Sequence, residues 1–191
     1  MIICPSNRVI RETLVHEILL PSLRRLYEID YDNIRSGVSE RNICARLAHH
    51  IENIMREYDQ SNDSILFVGF FADVEYDRMG DGYPKCFENR LKIPQKMVSD
   101  LLIQSRGEQN LLAVEMKRKG NYNGRKSDRE RLESMVSSYQ PGQSLPECVH
   151  DTMLGAFIIY SLDEVLIELY EEMNGRGVKS DVIRLQFNSS C

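Results

Sequence analysis

Three charged residues, Asp100, Glu115 and Lys117, lie in two apolar segments on either side of a short polar turn at residues 106–110. The length of these segments and their branched side chains are typical of buried strands joined as a hairpin. Because successive side chains of a strand point to opposite faces, Glu115 and Lys117 share one face of the second strand. Burying an unpaired charge is expensive, so such charges usually pair with one another or hold a metal ion.

The chemistry that these residue types support is metal-assisted attack on a phosphodiester. Two carboxylates brought side by side, such as Asp100 and Glu115, repel each other unless a cation lies between them, and hard divalent ions take oxygen ligands of this kind. Lys117, two residues beyond Glu115, adds a positive charge that can orient a water molecule or contact a phosphate. The three residues therefore predict a Mg²⁺ or Mn²⁺ site for phosphodiester hydrolysis.

Helical spacing of apolar residues predicts two helices before these strands. The first covers residues 7–28, with Pro21 as a kink or restart, and the second covers residues 40–58. Ser36 or Ser39 is expected to cap the second helix. A strand-like segment and the two site strands follow.

Two further acids precede the site strands. Glu40 lies on the buried face at the start of the second helix, where its charge either stabilises the helix N-terminus or points toward the strand site. Both interpretations stay open. Glu75 lies in the strand-like segment at residues 65–78, where it is either a residue of the solvent face of an edge strand or another acid near the site. A position in solvent or a supporting hydrogen bond is the favoured interpretation. Residues 79–90 predict a long loop that either closes over a substrate or only connects two elements.

The C-terminal part of the chain predicts further strands and helices. Residues 154–160 form a continuous apolar run that indicates a central strand. Residues 161–173 favour a helix, because a capping-box pattern opens the segment and the apolar residues keep helical spacing. The competing interpretation is a hairpin turn at residues 174–175 between two strands. Residues 182–187 indicate a short final strand.

The segment after the second site strand is rich in positive charge. Residues 117–131 contain seven basic residues against two acids, and glycines that allow close backbone approach. Ser127 is expected to cap a helix over residues 128–139. Clustered lysine and arginine side chains suit phosphate contacts, but a charged run is also typical of a solvated face, and both interpretations stay open. The candidate contacts to nucleic acid are Lys119, Arg125, Lys126 and Arg129.

The order of Asp100, a gap of fourteen residues and Glu115-Met116-Lys117 resembles the D…ExK signature of the PD-(D/E)XK nuclease superfamily. That superfamily includes restriction endonucleases, Holliday-junction resolvases and many small bacterial nucleases. The resemblance covers roughly residues 36–160. One departure is that Ser99, rather than proline, precedes Asp100.

The resemblance implies a fold and a function. The fold is an α/β three-layer sandwich with a mixed central sheet and an αβββαβ nuclease core, here preceded by an extra N-terminal helix. The activity is hydrolysis by a divalent-metal-dependent nuclease, with Mg²⁺ or Mn²⁺ held by Asp100, Glu115, the Met116 carbonyl and Glu40. Lys117 is expected to position the attacking water or to help deprotonate it.

The partners implied by the resemblance are nucleic acids. DNA is the expected substrate and RNA is an alternative, and a homodimer is a further expectation because cutting both strands needs two sites. The rival interpretation is a catalytically inactive module of the same fold that binds nucleic acid or a protein.

Bulk properties indicate an ordinary soluble protein. The 191 residues suit a single domain, with 42% hydrophobic and 28% charged residues. The pattern predicts neither a membrane span nor a signal peptide. Five scattered cysteines favour reduced thiols and a cytoplasmic location over a disulfide framework. The net charge of −5 does not predict nucleic-acid binding by itself, so that prediction depends on local charge.

Overall fold

The chain begins with helices that pack against one face of a sheet. The structure, a computed structural model, describes residues 7–75, 86–88, 93–96, 99–106, 109–140 and 149–187. The first helical elements are α1 (Asn7–Thr13), a π-helical segment (Leu14–Leu19), α2 (Leu20–Ile29), α3 (Tyr31–Ser36) and α4 (Glu40–Ser61). Pro21 lies in the first turn of α2, where a missing N–H costs little, so the predicted restart is confirmed. Ser39 caps α4, because its hydroxyl accepts a hydrogen bond from Asn42 N at 3.3 Å.

A six-stranded mixed sheet forms the centre of the fold. Eight strands occur in the part of the chain that the structure describes, six of them in this sheet. They are β1 (Phe71–Val74), β2 (Cys86–Glu88), β3 (Pro94–Lys96), β4 (Leu101–Gln104), β5 (Asn110–Arg118), β6 (Leu154–Tyr160), β7 (Glu164–Met173) and β8 (Arg176–Gln186). The sheet order is β1-β4-β5-β6-β7-β8, and β2 pairs separately with β3. β5 and β6 are parallel and flank α5 (Arg125–Val136) in the chain, whereas the other neighbouring strands are antiparallel.

Helices cover both faces of this sheet. On one face, Val114 and Met116 of β5 belong to the core that includes the buried residues of α2 and α4. On the other face, Ala113 of β5 packs with Leu132 of α5 in a second core. The expected α/β class with a mixed central sheet is therefore confirmed. Within the described residues, the structure contains no helix that is both long and apolar enough to cross a membrane.

The C-terminal third of the chain corrects one expectation. The helix predicted over residues 161–173 is wrong, because residues 164–173 form β7, which pairs with β8 throughout its length. Asn174 and Gly175 have φ angles of 54° and 81°, as a two-residue hairpin turn requires. The competing hairpin interpretation is confirmed. The predicted strand at residues 182–187 is largely the end of β8, which begins six residues earlier, at Arg176.

The capping-box pattern at residues 161–164 wrongly predicted a helix, because its hydrogen bond stabilises the turn between β6 and β7 instead. The Ser161 hydroxyl accepts from Glu164 N at 3.2 Å, as a helix cap does. The Ser161 N–H also donates to Glu164 O at 2.9 Å, so the same two residues close the turn between β6 and β7. Apolar residues at 165, 167 and 169 then alternate as a strand requires.

Several predicted boundaries also shift. Residues 65–70 form turns, so the strand predicted from residue 65 begins at Phe71. α5 begins at Arg125 after Gly124, whose φ is 74°, rather than after Ser127. The Ser127 hydroxyl donates to Gly124 O at 2.9 Å and does not cap the helix. Most of the predicted loop at residues 79–90 lies outside the described residues.

The cysteine prediction holds only in part. Cys44 is a buried free thiol, as predicted. Cys86 is disulfide-bonded, so the prediction of reduced thiols is wrong for this residue. A disulfide depends on the distance and direction between two side chains in the fold, and scattered spacing along the sequence does not reveal either.

The contact between β8 and α5 gives a first prediction. A Cβ atom on Gly177 would lie 1.9 Å from Glu133 O in α5. Gly177→Ala is therefore expected to lower the free energy of unfolding by about 1–3 kcal/mol, as overpacking does in other cores. The measurement is urea unfolding followed by circular dichroism. Lys179→Ala, at an exposed position of the same strand, is the control. Equal stability of the two variants would contradict the packing of α5 on β8.

Candidate active site

The hairpin of β4 and β5 forms as predicted and brings two carboxylates together. Its register pairs Leu101 with Val114, so Asp100 and Glu115 are the next residues in line on the two strands. Opposite residues of an antiparallel pair point to the same face. The Asp100 Oδ2 atom accepts a hydrogen bond from Met116 N at 2.7 Å, which holds this carboxylate beside β5. The structure therefore brings Asp100 and Glu115 to the same end of the hairpin.

Glu115 is the most deeply buried acid of this group. Its exposed fraction is 0%. Its Oε1 atom accepts a hydrogen bond from Arg131 Nε in α5 at 2.6 Å. Its Oε2 atom is buried without a hydrogen-bond partner in the described part of the chain. Burial raises the pKa of Glu115 to about 8, although Arg131 opposes the shift. Arg131 thus binds only one of the two carboxylate oxygens of Glu115, and the loss of water at the other oxygen is not offset by a hydrogen bond.

A chain of ion pairs runs from Glu115 across the end of the sheet. Arg131 Nη2 donates to Asp128 Oδ1 at 2.7 Å. Lys117 Nζ lies 3.3 Å from Asp128 Oδ2 and 3.8 Å from Glu40 Oε2. Burial alone would lower the pKa of Lys117, but the surrounding carboxylates raise it above its ordinary value. Lys117 is therefore held in its protonated form.

Glu40 reaches the end of β5 from the start of α4. Its Oε1 atom accepts hydrogen bonds from Arg118 N at 2.8 Å and from Asn121 Nδ2 at 2.9 Å. Its place in the first turn also suits the positive end of the helix dipole. Both sequence interpretations of Glu40 therefore agree with its position. Its role as a metal ligand stays a prediction.

The site carries an excess of negative charge. Four carboxylates and two cations make up the acidic cluster, which consists of Glu40, Asp100, Glu115, Asp128, Lys117 and Arg131. Burial raises the pKa of Asp100 as well as that of Glu115, because desolvation disfavours the charged form. Two negative charges stay unmatched when all six groups are ionised, and a divalent cation would balance them.

The donor set fits Mg²⁺ or Mn²⁺ in its chemistry. Carboxylate oxygens are the ligands these ions prefer, and the unpartnered Oε2 atom of Glu115 marks a place for one. Across the described ranges, however, no group of three or more histidine, cysteine or acidic side chains is arranged to hold a metal ion. Arg131 engages one oxygen of Glu115, and Met116 N engages Asp100. Metal binding therefore requires side-chain rearrangement within the acidic cluster.

Two uncharged groups lie on the α4 side of the cluster. Cys44 follows Glu40 by one helical turn, and Tyr160 ends β6 beside Arg118. Burial raises the pKa of both groups, with Glu40 and Asp100 adding to the effect. Both side chains therefore stay neutral. The Tyr160 hydroxyl has no hydrogen-bond partner among the residues that the structure describes. The ligands available on this side are thus carboxylate oxygens rather than a thiolate.

Arg129, a predicted phosphate contact, is engaged within the fold. Its guanidinium donates to both oxygens of Glu168, at 2.7 and 3.0 Å. It also lies 4.3 Å from the centroid of the Phe157 ring. Arg129 therefore joins α5 to β6 and β7, and its removal would weaken the fold as well as any surface contact.

The other three predicted contacts differ in their availability. Arg125 Nε donates to Asn121 O at 2.6 Å. Lys119 forms an ion pair with Glu164. Lys126 is exposed on the first turn of α5. The basic surface that is open to a phosphate is therefore smaller than the charge count of the segment indicates.

Glu75 lies at the edge of the site without joining the acidic cluster. Its carboxylate pairs with Arg41 at 2.8 Å near the surface. Its backbone N–H donates to Asp100 O at 3.3 Å. Glu75 thus supports the position of Asp100 through its main chain, in keeping with the expected solvent or supporting role.

Asp128 and Arg131 are cluster members that the sequence analysis did not single out. A signal for them was present, because residues 128, 131, 132 and 135 share one face of a helix. Leu132 and Met135 are the apolar residues of this stripe, and Asp128 and Arg131 are also counted in the charged segment at residues 117–131. A charged residue on a buried stripe needs a charged neighbour, which is what β5 provides.

The chain matches no family model, and comparisons with characterised proteins and with solved structures find no match either.

The pair of Glu115 and Arg131 gives the next prediction. Arg131→Met leaves a buried carboxylate without its cation and is expected to lower the free energy of unfolding by about 3–5 kcal/mol. The double variant Glu115→Gln/Arg131→Met removes both charges and should be more stable than Arg131→Met alone. Chemical denaturation of the variants measures both effects. Arg24→Met, at an exposed position of α2, is the control. If the loss of stability in the double variant equals the sum of the losses in Glu115→Gln and Arg131→Met, the two residues are not coupled.

Proposed function

We propose that the chain is a divalent-metal-dependent nuclease that hydrolyses phosphodiester bonds in DNA. The observation that carries the proposal is that the half-buried Asp100, just before β4, and the fully buried Glu115 of β5 lie next in line after the Leu101–Val114 pair, in a cluster with four carboxylates and two cations. Once the separate β2–β3 pair is set aside, the order of α4, β1, β4, β5, α5 and β6 supports it, because this order agrees with the αβββαβ core of the PD-(D/E)XK superfamily. Helices on both faces of the mixed sheet agree with the three-layer arrangement of that fold.

The proposed ligands are oxygen atoms of the acidic cluster. Asp100 and Glu115 supply carboxylates, and the Met116 carbonyl and Glu40 complete the set. When bound, Mg²⁺ or Mn²⁺ supplies Lewis acidity at the phosphate and lowers the pKa of a water nucleophile. Arg118 N and Asn121 hold Oε1 of Glu40, which leaves Oε2 on the Lys117 side.

Lys117 acts as a charged donor in this proposal. Of the two expected roles, positioning the water or helping to deprotonate it, the raised pKa supports the first. An ammonium group beside the phosphate stabilises the negative charge that develops as the bond to water forms. It can also orient the water through its N–H groups, while Asp128 and Glu40 fix its position.

Binding of the substrate depends on local charge. The chain carries a net charge of −5, whereas residues 117–131 contain seven basic residues against two acids. Lys126 lies exposed at the start of α5, and Lys119 lies just beyond the end of β5. Contacts from these side chains to phosphate are independent of base sequence. The same chemistry acts on RNA, so both nucleic acids belong in the test.

A non-catalytic module that binds nucleic acid or protein is the second candidate. The observation that favours it is the engagement of Arg131 with Glu115, since a cation already occupies one oxygen of the central acid. The replacement of proline by Ser99 before Asp100 also departs from the nuclease signature.

The third prediction separates metal ligation from charge stabilisation. Glu115→Gln removes a negative ligand but keeps the side-chain size, so we expect a folded protein whose Mn²⁺ affinity and turnover both collapse. Lys117→Ala should retain Mn²⁺ binding, because an ammonium group is not a ligand, while cleavage falls by a factor on the order of a hundred or more. The measurements are Mn²⁺ titration by calorimetry and cleavage of labelled DNA and RNA.

Two matched controls accompany these variants. Glu17→Gln removes an exposed carboxylate of the π-helical segment, outside the acidic cluster. Lys179→Ala removes an exposed cation from β8. Both should bind Mn²⁺ and cleave like the wild type. If the wild type binds no divalent ion at millimolar concentration and cuts neither nucleic acid, the non-catalytic module replaces the nuclease.

A further inference from the structure

Arg131 bridges two carboxylates of the acidic cluster. Its Nε atom donates to Glu115 Oε1 at 2.6 Å, and its Nη2 atom donates to Asp128 Oδ1 at 2.7 Å. The Arg131 side chain is 15% exposed, whereas that of Glu115 is fully buried. The guanidinium is therefore the member of this pair that meets solvent.

The guanidinium compensates Glu115 only in part. It binds one oxygen of the carboxylate and leaves Oε2 buried without a hydrogen bond in the described part of the structure. Such an atom normally has a partner in a folded protein. A planar guanidinium offers donors in fixed directions, while a divalent ion accepts oxygens from several sides at once. The carboxylate thus retains one buried oxygen atom, Oε2, that a divalent ion can bind.

Asp128 is placed to keep Arg131 near the site. The two residues are three positions apart on α5, so their ion pair does not depend on β5. The second oxygen of Asp128 lies 3.3 Å from Lys117 Nζ, which ties Asp128 to the end of β5. A guanidinium that leaves Glu115 therefore retains one carboxylate of its own.

We propose that Arg131 is an exchangeable counter-ion, which occupies Glu115 until a divalent cation displaces it and which Asp128 then retains beside the site. This proposal rests on the proposed function, because the exchanging cation is the one that nuclease chemistry needs. The exchange breaks no covalent bond. Arg131 gives up its one hydrogen bond to Glu115, from Nε, and keeps the hydrogen bond from Nη2 to Asp128.

The proposal makes Arg131 a competitor of the metal ion. When only a fraction of the molecules has Glu115 released, the apparent affinity for the ion falls by that fraction. If about one molecule in ten has Glu115 released, removal of Arg131 raises the apparent Mn²⁺ affinity about tenfold, equivalent to about 1.4 kcal/mol. The fourth prediction follows from this relation.

The experiment compares two variants that each remove one positive charge. Mn²⁺ titration by calorimetry is carried out on the wild type, Arg131→Met and Lys117→Met at one ionic strength. A general electrostatic effect strengthens Mn²⁺ binding equally in both variants. Direct occupation of Glu115 by Arg131 predicts that Arg131→Met binds Mn²⁺ about tenfold more tightly than Lys117→Met.

A second measurement serves if Arg131→Met is too unstable to titrate. Arg131→Lys keeps the charge but lacks the two donors that bridge Glu115 and Asp128, so it should also bind Mn²⁺ more tightly than the wild type. Added guanidinium ion should weaken Mn²⁺ binding to Arg131→Lys and leave the wild type unaffected, because the wild type already carries its own guanidinium. The added concentration stays well below that at which either protein unfolds.

The outcomes separate this proposal from the nuclease proposal. Equal Mn²⁺ affinity in Arg131→Met and Lys117→Met, or no tightening in Arg131→Lys, would overturn the exchange even in a protein that cleaves DNA. Tighter binding in Arg131→Met, in a chain that cleaves neither DNA nor RNA, would support the exchange and overturn the nuclease. Absence of Mn²⁺ binding in every variant would overturn both.

Discussion

One electrostatic constraint underlies the arrangement of this fold, namely that the buried carboxylate of Glu115 needs positive charge beside it. Taking an ionised group out of water costs several kcal/mol unless a partner compensates it. Arg131 supplies that compensation from α5 at 2.6 Å, while Leu132, Met135 and Val136 of the same helix pack on the apolar part of that face. Gly155 and Gly177 allow the approach, because a side chain at either position would crowd α5.

The same constraint connects the layers of the molecule. Lys117 lies between Glu40 of α4 and Asp128 of α5, so a single ammonium group contacts acids from the helices on both faces of the sheet. The result is a cluster at one end of β5 with more acids than bases. Both of its cations, Lys117 and Arg131, belong to the basic segment at residues 117–131.

The spacing of apolar residues predicted correctly those elements in which only one period, helical or strand-like, fits. α4 and β6 have one dominant apolar period each, and their predicted and observed bounds agree closely. β7 did not behave this way, since apolar residues at 165, 166, 169 and 170 fit a helix while those at 165, 167 and 169 fit a strand. Pairing with β8 decided the outcome, because the backbone groups of β7 find partners along the whole of that strand.

The sequence by itself determined the α/β class, the β4–β5 hairpin and the placement of Asp100, Glu115 and Lys117 at its end. Side-chain parity and hairpin register are local properties, so they can be read from spacing alone. Only the tertiary structure decided that Asp128 and Arg131 belong to the same cluster and that Arg129 turns away to Glu168. Such choices depend on how α5 crosses the sheet, and charges distant in sequence become neighbours only when that crossing is fixed.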